Sequence, residues 1–284
     1  MGRILMGRIL MRRNFMGRIL SNARLHASLL GDYFVQYLKV RVSYRGDFLI
    51  SLATSTAATV FAFAFVLVLF RRVNLPGWTF EEVVFLYGFS LIPFGLFNIL
   101  SLNLYEFGNT QIMEGKFDRV LLRPVSSLFQ VLFENFRLES FFEAFTGLGI
   151  VIWMAVRIHA HWHVADVLLL ALFSVCGGII YVSVFLLLST FSFWFEDRVG
   201  VHPPFWNLLA FGRYPMSIYS GYIQFFLSWI VPFGFATFYP GARLLARGEF
   251  SHLALLVPTV AAACALVAGF AWTQGVRHYS STGS

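Results

Sequence analysis

Two glutamates, Glu139 and Glu143, lie one helical turn apart at the start of an apolar stretch. A carboxylate inside a membrane span is costly, and in transporters such groups carry protons. Both acids lie near one end of the stretch and follow Arg137, so the sequence favours pairing with that arginine, or placement at headgroup level, over proton coupling. One intramembrane acid at most is weak support for a proton-driven carrier.

Three histidines alternate in the segment 157–163, at His159, His161 and His163. Alternation would place imidazoles on the same face of a strand, as in some metal sites. Zinc sites usually add cysteine or carboxylate ligands at fitting spacing, and only Asp166 is near. We therefore expect an interfacial loop here and no metal site.

The Gly115-Lys116 pair is the only Gly-Lys dipeptide, and it does not belong to a phosphate-binding loop. Such a loop needs glycine five residues before the second glycine and Ser or Thr after the lysine. Thr110 and Phe117 occupy those positions. We expect no catalysis by this chain, so energy for any work must come from a partner or an ion gradient.

The composition indicates whether water or lipid surrounds the elements that carry these residues. The 284-residue chain is 58% hydrophobic and 12% charged, against about 25% charged residues in soluble domains. Mean hydropathy is +0.72. A soluble globular enzyme and a disordered chain are both excluded, because neither has so little polar surface. The net charge of +7 then indicates membrane topology or contact with anionic lipid, and no nucleic acid.

Six apolar stretches approach the length of about 20 residues that a transmembrane helix needs. The predicted fold is all-α and polytopic, with spans at 48–70, 83–104, 140–156, 167–195, 218–238 and 253–276. Pro232 and Pro240 break the fifth stretch. It is interpreted as a span over 218–231 followed by a re-entrant or interfacial turn through Phe238, or as one kinked helix.

The cations predict the orientation of the chain. With the N-terminus inside, 16 of the 21 Lys and Arg residues lie inside, and the outer five are Arg71, Arg72, Arg157, Arg243 and Arg247. This asymmetry places both termini in the cytoplasm. Residues 1–22 form a basic leader with three MGRIL repeats, 23–46 an amphipathic interfacial helix, 47–276 the six-span domain, and 277–284 a cytoplasmic tail.

The segment between the second and third spans has the composition of a docking surface. A short helix is expected over 109–114, ended by Gly115. Charged Lys116, Asp118 and Arg119 follow the apolar Ile112 and Met113 and flank Phe117. Apolar anchors rimmed by charge suit a cytoplasmic partner. The alternative is an interfacial loop without a partner.

The same segment resembles the permeases of prokaryotic ABC exporters of the ABC-2 type, specifically their uncharacterised paired-permease branch. The likeness rests on residues 112–119, 121–124, 128–130, the YP-x-x-IY pattern within 213–219, and 232–240. It extends over about 25–276, and residues 1–20 depart from it. Its motifs indicate the class of transporter, not the cargo.

The resemblance implies a permease subunit in the prokaryotic inner membrane. Two permeases would pair, as a heterodimer or possibly a homodimer, above two copies of an ABC ATPase that bind the ATP and Mg²⁺. This chain would bind no cofactor. Its coupling helix would contact the ATPase, as would the amphipathic N-terminal helix. The expected coupling-helix contact residues are Asn109, Gln111, Ile112, Met113, Glu114, Gly115, Lys116, Phe117, Asp118 and Arg119.

The translocation pathway is expected at the interface of the two permeases, lined by spans two and five. Asn98, Asn103 and Gln224 are its polar candidates, or else they form interhelical hydrogen bonds. The resemblance allows drugs, antibiotics, lipids or glycans as cargo. The 34 phenylalanines favour a hydrophobic or amphipathic molecule. A stand-alone secondary transporter and a lipid-modifying membrane enzyme are the alternative functions.

Overall fold

The computed structural model describes residues 26, 28–72, 75–195 and 202–280. Within these ranges the chain is helical and contains no strand, which confirms the all-α polytopic fold. The leader at 1–22 and the last four residues of the tail lie outside the described residues.

Five helices are long and apolar enough to cross a membrane, and a bent helix pair is a sixth candidate, among the residues described. These five contain α2 (Arg45–Arg72), α3 (Phe80–Tyr105), α6 (Ser140–Arg157), α7 (Val164–Thr190) and α14 (Val257–His278). Helix α1 (28–43) precedes them and is not one of the five. The short helices are α4 (Phe117–Leu121), α5 (Ser127–Phe133), α8 (Ser192–Phe195), α9 (His202–Leu208), α10 (Gly221–Phe225), α11 (Phe233–Ala236), α12 (Phe238–Leu244) and α13 (Ser251–Ala254). Single π-helical segments extend α3 over Phe107–Met113 and α10 over Phe226–Ile230.

Helix α3 lies at the centre of the bundle, packed against α6 and α7. Small residues permit this close approach. A Cβ added at Gly95 of α3 would lie 2.7 Å from the backbone nitrogen of Ala144 in α6. One added at Gly177 of α7 would lie 2.8 Å from Cβ of Pro93 in α3. Helix α2, in contrast, buries only Val66 and Phe70, so most of its surface is left for lipid or another chain.

The ends of the helices define two opposite faces. At face A, Arg41 of α1 pairs with Glu139 before α6, and the Tyr279 hydroxyl after α14 donates to Asp118. At face B, Arg247 binds Glu82 in the first turn of α3, and the Trp162 indole donates to the carbonyl oxygen of Leu244. Helix α1 and the C-terminal end of α14 therefore lie at the same face.

The chain between α7 and α14 departs from the predicted span over 218–238. Trp206 packs on Phe185, 5.7 Å between ring centroids, in the half of the bundle near face A. Eleven residues later, Ser217 Oγ accepts from the Trp78 indole at 2.9 Å, beside the start of α3 at face B. The crossing is therefore made by α9 and the turns up to Ser217.

The following segment forms a re-entrant hairpin that enters from face B. Its arms, Gly221–Ile230 and Phe233–Leu244, are bent by 71°. Phe233 lies 5.1 Å from the ring of Tyr181 in the middle of α7, and Leu244 is back at face B beside Trp162. Pro232 sits at the bend, where its missing N–H prevents a continuous helix. The bent pair therefore covers 221–244, where the sequence predicts a span over 218–231 and a turn through Phe238.

Candidate functional site

The first part of the segment between α3 and α5 continues α3. The π-helical turn Phe107–Met113 continues the helix, and the amide of Glu114 donates back to the carbonyl of Asn109 at 3.1 Å. Gly115 then adopts φ +67°, a conformation that favours glycine, and the chain turns into α4. A short helix ended by Gly115 was expected here, and the structure has one that is continuous with α3.

One side of this segment is buried in a cluster of five aromatic rings, called here the aromatic cluster: Phe107, Phe117, Phe193, Trp272 and Tyr279. Phe107 lies 5.3 Å from Phe193 and 5.1 Å from Trp272, and Phe117 lies 5.0 Å from Tyr279, measured between ring centroids. Such edge and tilted pairs each add about 0.5–1.5 kcal/mol beyond area burial. The cluster joins the end of α3 to α4, α8 and α14.

The burial corrects one expectation from the sequence. Ile112 and Phe117 were expected to be exposed anchors, but Phe117 is fully buried and Ile112 nearly so. The reason is that α8 and α14, which begin far away in the sequence, cover this side. Gln111 is also buried, and its Nε2 donates to Glu134 Oε2 at 2.6 Å.

The other side of the segment remains exposed and carries charge around two apolar side chains. Met113 is 49% exposed and Leu122 84% exposed. Lys116 and Glu114 form a surface ion pair of 2.7 Å between them. We call Met113, Glu114, Lys116, Arg119 and Leu122 the face A patch. Leu122 was not among the contact residues predicted from the sequence. Its place between the charged run and Arg123-Pro124 could have indicated an exposed apolar side chain.

Asp118 points away from the face A patch, toward α14. Its Oδ1 accepts from the Tyr279 hydroxyl at 3.0 Å. Burial of Tyr279, and then the neighbouring carboxylate, raise the pKa of Tyr279 to about 12. The neutral phenol is therefore held as a hydrogen-bond donor between the patch segment and the last span.

The three predicted pathway residues do not come together. Asn98 Nδ2 donates to Glu143 Oε2 at 2.7 Å, which joins α3 to α6. Asn103 Nδ2 donates to the carbonyls of Leu132 and Asn135, both at 2.8 Å, and so fastens the end of α5 to α3. Gln224 donates to the carbonyl of Tyr219 within its own segment. Asn98 and Asn103 thus form interhelical hydrogen bonds, which were the alternative to a place in the pathway. Asn103 also bonds the loop after α5.

Arg213 was counted among the cations inside, but it lies within the bundle. Its guanidinium carbon is 4.7 Å from the centroid of Phe94 and 6.0 Å from that of Tyr87, both in α3. Stacking on aromatic faces lowers the cost of a cation at this depth. Arg213 and the Asn98–Glu143 pair therefore flank Phe94 on the surface where α3 meets the 202–217 crossing.

Among the described residues, no three His, Cys, Asp or Glu side chains are placed to hold a metal ion. Of the three alternating histidines, His163 begins α7, and its backbone amide donates to Asp166 at 2.9 Å. His159 adopts φ +52° in the turn after α6. The segment thus has a structural part in the α6–α7 connection.

The fold and this site define a polytopic membrane protein with an exposed, charged patch at one face. The family model for ABC-2 family transporter protein matches residues 56–283. The chain therefore belongs to the ABC-2 transporter family and is a permease component of an ABC transporter. No curated protein and no solved structure matches it significantly.

Proposed function

We propose that this permease couples to a separate ABC ATPase through the face A patch. The observation that carries the proposal is the position of the patch on the aromatic cluster. Met113 and Leu122 supply exposed apolar anchors, and Glu114, Lys116 and Arg119 supply a charged rim, which is the usual anatomy of a docking site. Of the residues expected to contact the ATPase, the exposed ones are the direct candidates, and Gln111, Ile112 and Phe117 support them from below.

The aromatic cluster is suited to transmit a displacement of the patch. Its rings belong to the π-helical end of α3, to α4, to α8 and to the end of α14. Packed aromatic side chains have little freedom to yield, so a push on α4 is passed to three helices rather than absorbed. We propose that closure of two ATPase subunits tilts these spans and alternates access to the pathway.

The cargo would pass where α3 faces the 202–217 crossing. Arg213 lies along this surface with Phe94, and the Asn98–Glu143 pair lies beside it between α3 and α6. A second permease, identical or different, would cover the exposed α2 and the exposed arm of the hairpin, where Tyr222 is 90% exposed. Export by two paired permeases in a prokaryotic inner membrane is the arrangement proposed.

The distribution of cations supports face A as the cytoplasmic face, which would put both termini in the cytoplasm. Lys116, Arg119 and Arg123 lie at that face, next to Tyr33 of α1. ATP and Mg²⁺ would then be bound by the partner, since this chain has no phosphate-binding loop in its sequence.

Co-purification with the ATPase tests the proposal directly. Leu122→Asp should abolish capture of an ATPase subunit by the tagged permease, because it puts a charge in the centre of the patch. Leu255→Asp is the matched control, since Leu255 is 70% exposed at the opposite end of the bundle, just before α14. Equal capture by both variants would overturn the assignment of the patch.

A further inference from the structure

Arg213 places a positive charge midway between the two faces of the bundle. Helix α3 starts at face B and rises about 1.5 Å per residue, so Phe94 lies about 21 Å from its start. Arg213 stacks on Phe94, and its second aromatic contact, Tyr87, lies nearer face B. A cation at this depth of a membrane protein is costly, and such residues commonly serve the passage of a substrate or ion.

The charge of Arg213 is not balanced by an ion pair with a described carboxylate. Glu143 acts on it electrostatically, but Oε2 of that glutamate accepts from Asn98 Nδ2 at 2.7 Å. Stacking occupies a face of the guanidinium and leaves the N–H groups at its edge free to donate. The Tyr87 hydroxyl accepts no hydrogen bond from them. Since Arg213 is only partly buried, a ligand can reach these donors.

An open cavity of about 330 Å³ lies at the face A end of the same surface, between α3 and α9. Its apolar walls are Leu102, Tyr105, Pro203 and Trp206. Trp206 packs on Phe94, with 6.0 Å between ring centroids, and Phe94 is the ring on which Arg213 stacks. One aromatic surface therefore joins the cavity to the cation, and a molecule of a few fused rings can reach both.

The cavity itself favours neither sign of charge. Glu106 and Arg137 both line it, and each is partly exposed. Selection therefore falls to Arg213, deeper along the surface. A cationic molecule would be repelled there, whereas an anionic one would pair with the guanidinium in surroundings of low dielectric, where the interaction is strong.

We propose that Arg213 selects the cargo, and that the cargo is an organic anion with a flat apolar body that enters from face A. The body lies against Tyr105 and Trp206, and the anionic group accepts hydrogen bonds from Arg213. This inference rests on the pathway proposed above, between α3 and the 202–217 crossing, and adds the chemical class of the molecule that uses it.

The test measures binding to the full purified permease in phosphatidylcholine nanodiscs, by saturable quenching of tryptophan emission. The probes share one apolar body and differ in charge: pyrenebutyrate, pyrenebutanol and pyrenebutyl-trimethylammonium. Pyrenebutyrate should bind most tightly, and the ammonium should show no saturable binding. Excess sulfate should not displace pyrenebutyrate, because sulfate lacks the apolar body. Displacement by sulfate would overturn the part assigned to the aromatic walls.

Arg213→Gln should weaken pyrenebutyrate binding by about tenfold or more, the effect of losing one charge-assisted hydrogen bond. Binding of pyrenebutanol should be unchanged. Arg213→Lys keeps the charge and should retain part of the preference for the anion. Arg45→Gln, at an exposed position at the start of α2, is the matched control and should change neither affinity. If Arg213→Gln also loses the alcohol, Arg213→Lys decides: a retained preference supports the proposal and a lost one overturns it.

Equal binding of the three probes, or a preference for the anion that survives Arg213→Gln, would overturn the choice of an anionic cargo and leave the pathway standing. Failure of all three probes to bind would contradict the position of the pathway as well. No ATPase is present, so the result is independent of where the ATPase docks.

Discussion

Arg41 and Glu139 form an ion pair that joins α1 to the start of α6, with Nη2 and Oε1 2.9 Å apart. The Glu139 side chain is buried, and its second oxygen accepts no hydrogen bond from the described residues. Arg41 also donates from Nε to the Tyr37 hydroxyl at 2.7 Å. The amphipathic helix predicted from the sequence is thus joined to the bundle by this ion pair, and also by the Leu138 amide, which donates to the Tyr37 hydroxyl, and by the rings of Phe34 and Tyr37, which contact Phe136.

Arg41→Gln should release α1, because it leaves the buried Glu139 carboxylate without its partner. We expect a loss of about 1–3 kcal/mol in the free energy of unfolding. The measurement is hydrogen exchange over 28–43, with thermal unfolding in detergent. Arg45→Gln is the matched control at an exposed position. Adding Glu139→Gln to Arg41→Gln should recover part of the loss, and unchanged exchange in Arg41→Gln would contradict this account.

Two glycines of α14 test the tight packing of the aromatic cluster. A Cβ at Gly275 would clash with the ring of Phe193, whereas one at Gly269 meets nothing within 4 Å. Ala is favoured over Gly in a helix by about 1 kcal/mol. Gly269→Ala should therefore raise the melting temperature slightly, and Gly275→Ala should lower it. Equal shifts would show that Phe193 yields freely and that the cluster is not rigid.

The titration of Tyr279 tests its contact with Asp118. Burial and the carboxylate raise the pKa of Tyr279 to about 12 from an ordinary value of 10. The contribution of the neutral Tyr279 side chain to the free energy of unfolding is therefore fully present below pH 10 and is lost as the pH rises toward 12. The difference in phenolate absorbance between the native chain and Tyr279→Phe should have its midpoint near pH 12. In an Asp118→Asn background the midpoint should fall by only part of this shift, because burial, its larger cause, remains, and an unchanged midpoint would contradict the contact.

Cysteine labelling tests the re-entrant hairpin. Ser217→Cys should react with an impermeant maleimide from the same side as Ala246→Cys, because Ser217 lies beside Trp78 at face B. Glu114→Cys should react from the opposite side. The unsubstituted chain gives the background from Cys176 and Cys264. A straight span over 218–238 puts residues 217 and 246 on opposite sides, so labelling of Ser217→Cys together with Glu114→Cys would refute the hairpin.

The helices that cross the bundle could be predicted from the sequence because lipid imposes a strong rule. Uncharged runs of about 20 residues have few other stable environments, and α2, α3 and α7 follow such runs. The crossing at 202–217 could not be found this way. It is short, interrupted by Pro215 and includes Arg213, and its position depends on stacking against Phe94.

The sequence predicted where along the chain the candidate site lies, but not which of its side chains are buried. The charged run and Gly115 located the segment, because local composition carries that information. The burial of Phe117 depends on Phe193 and Trp272, which are distant in the sequence, so local patterning could not show it. Leu122 is exposed because it lies on the side of the segment that these aromatic rings do not cover.

Site-specific photo-crosslinking from position 122 tests the central claim most directly. A benzoylphenylalanine placed at Leu122 in the membrane-embedded permease should crosslink to a subunit that carries a phosphate-binding loop, identified by mass spectrometry. The same group at Leu255 should give no such product. A crosslink to that subunit from Leu255 but not from Leu122, or from neither position in a preparation that retains the ATPase, would contradict the proposal that the face A patch is where the ATPase docks.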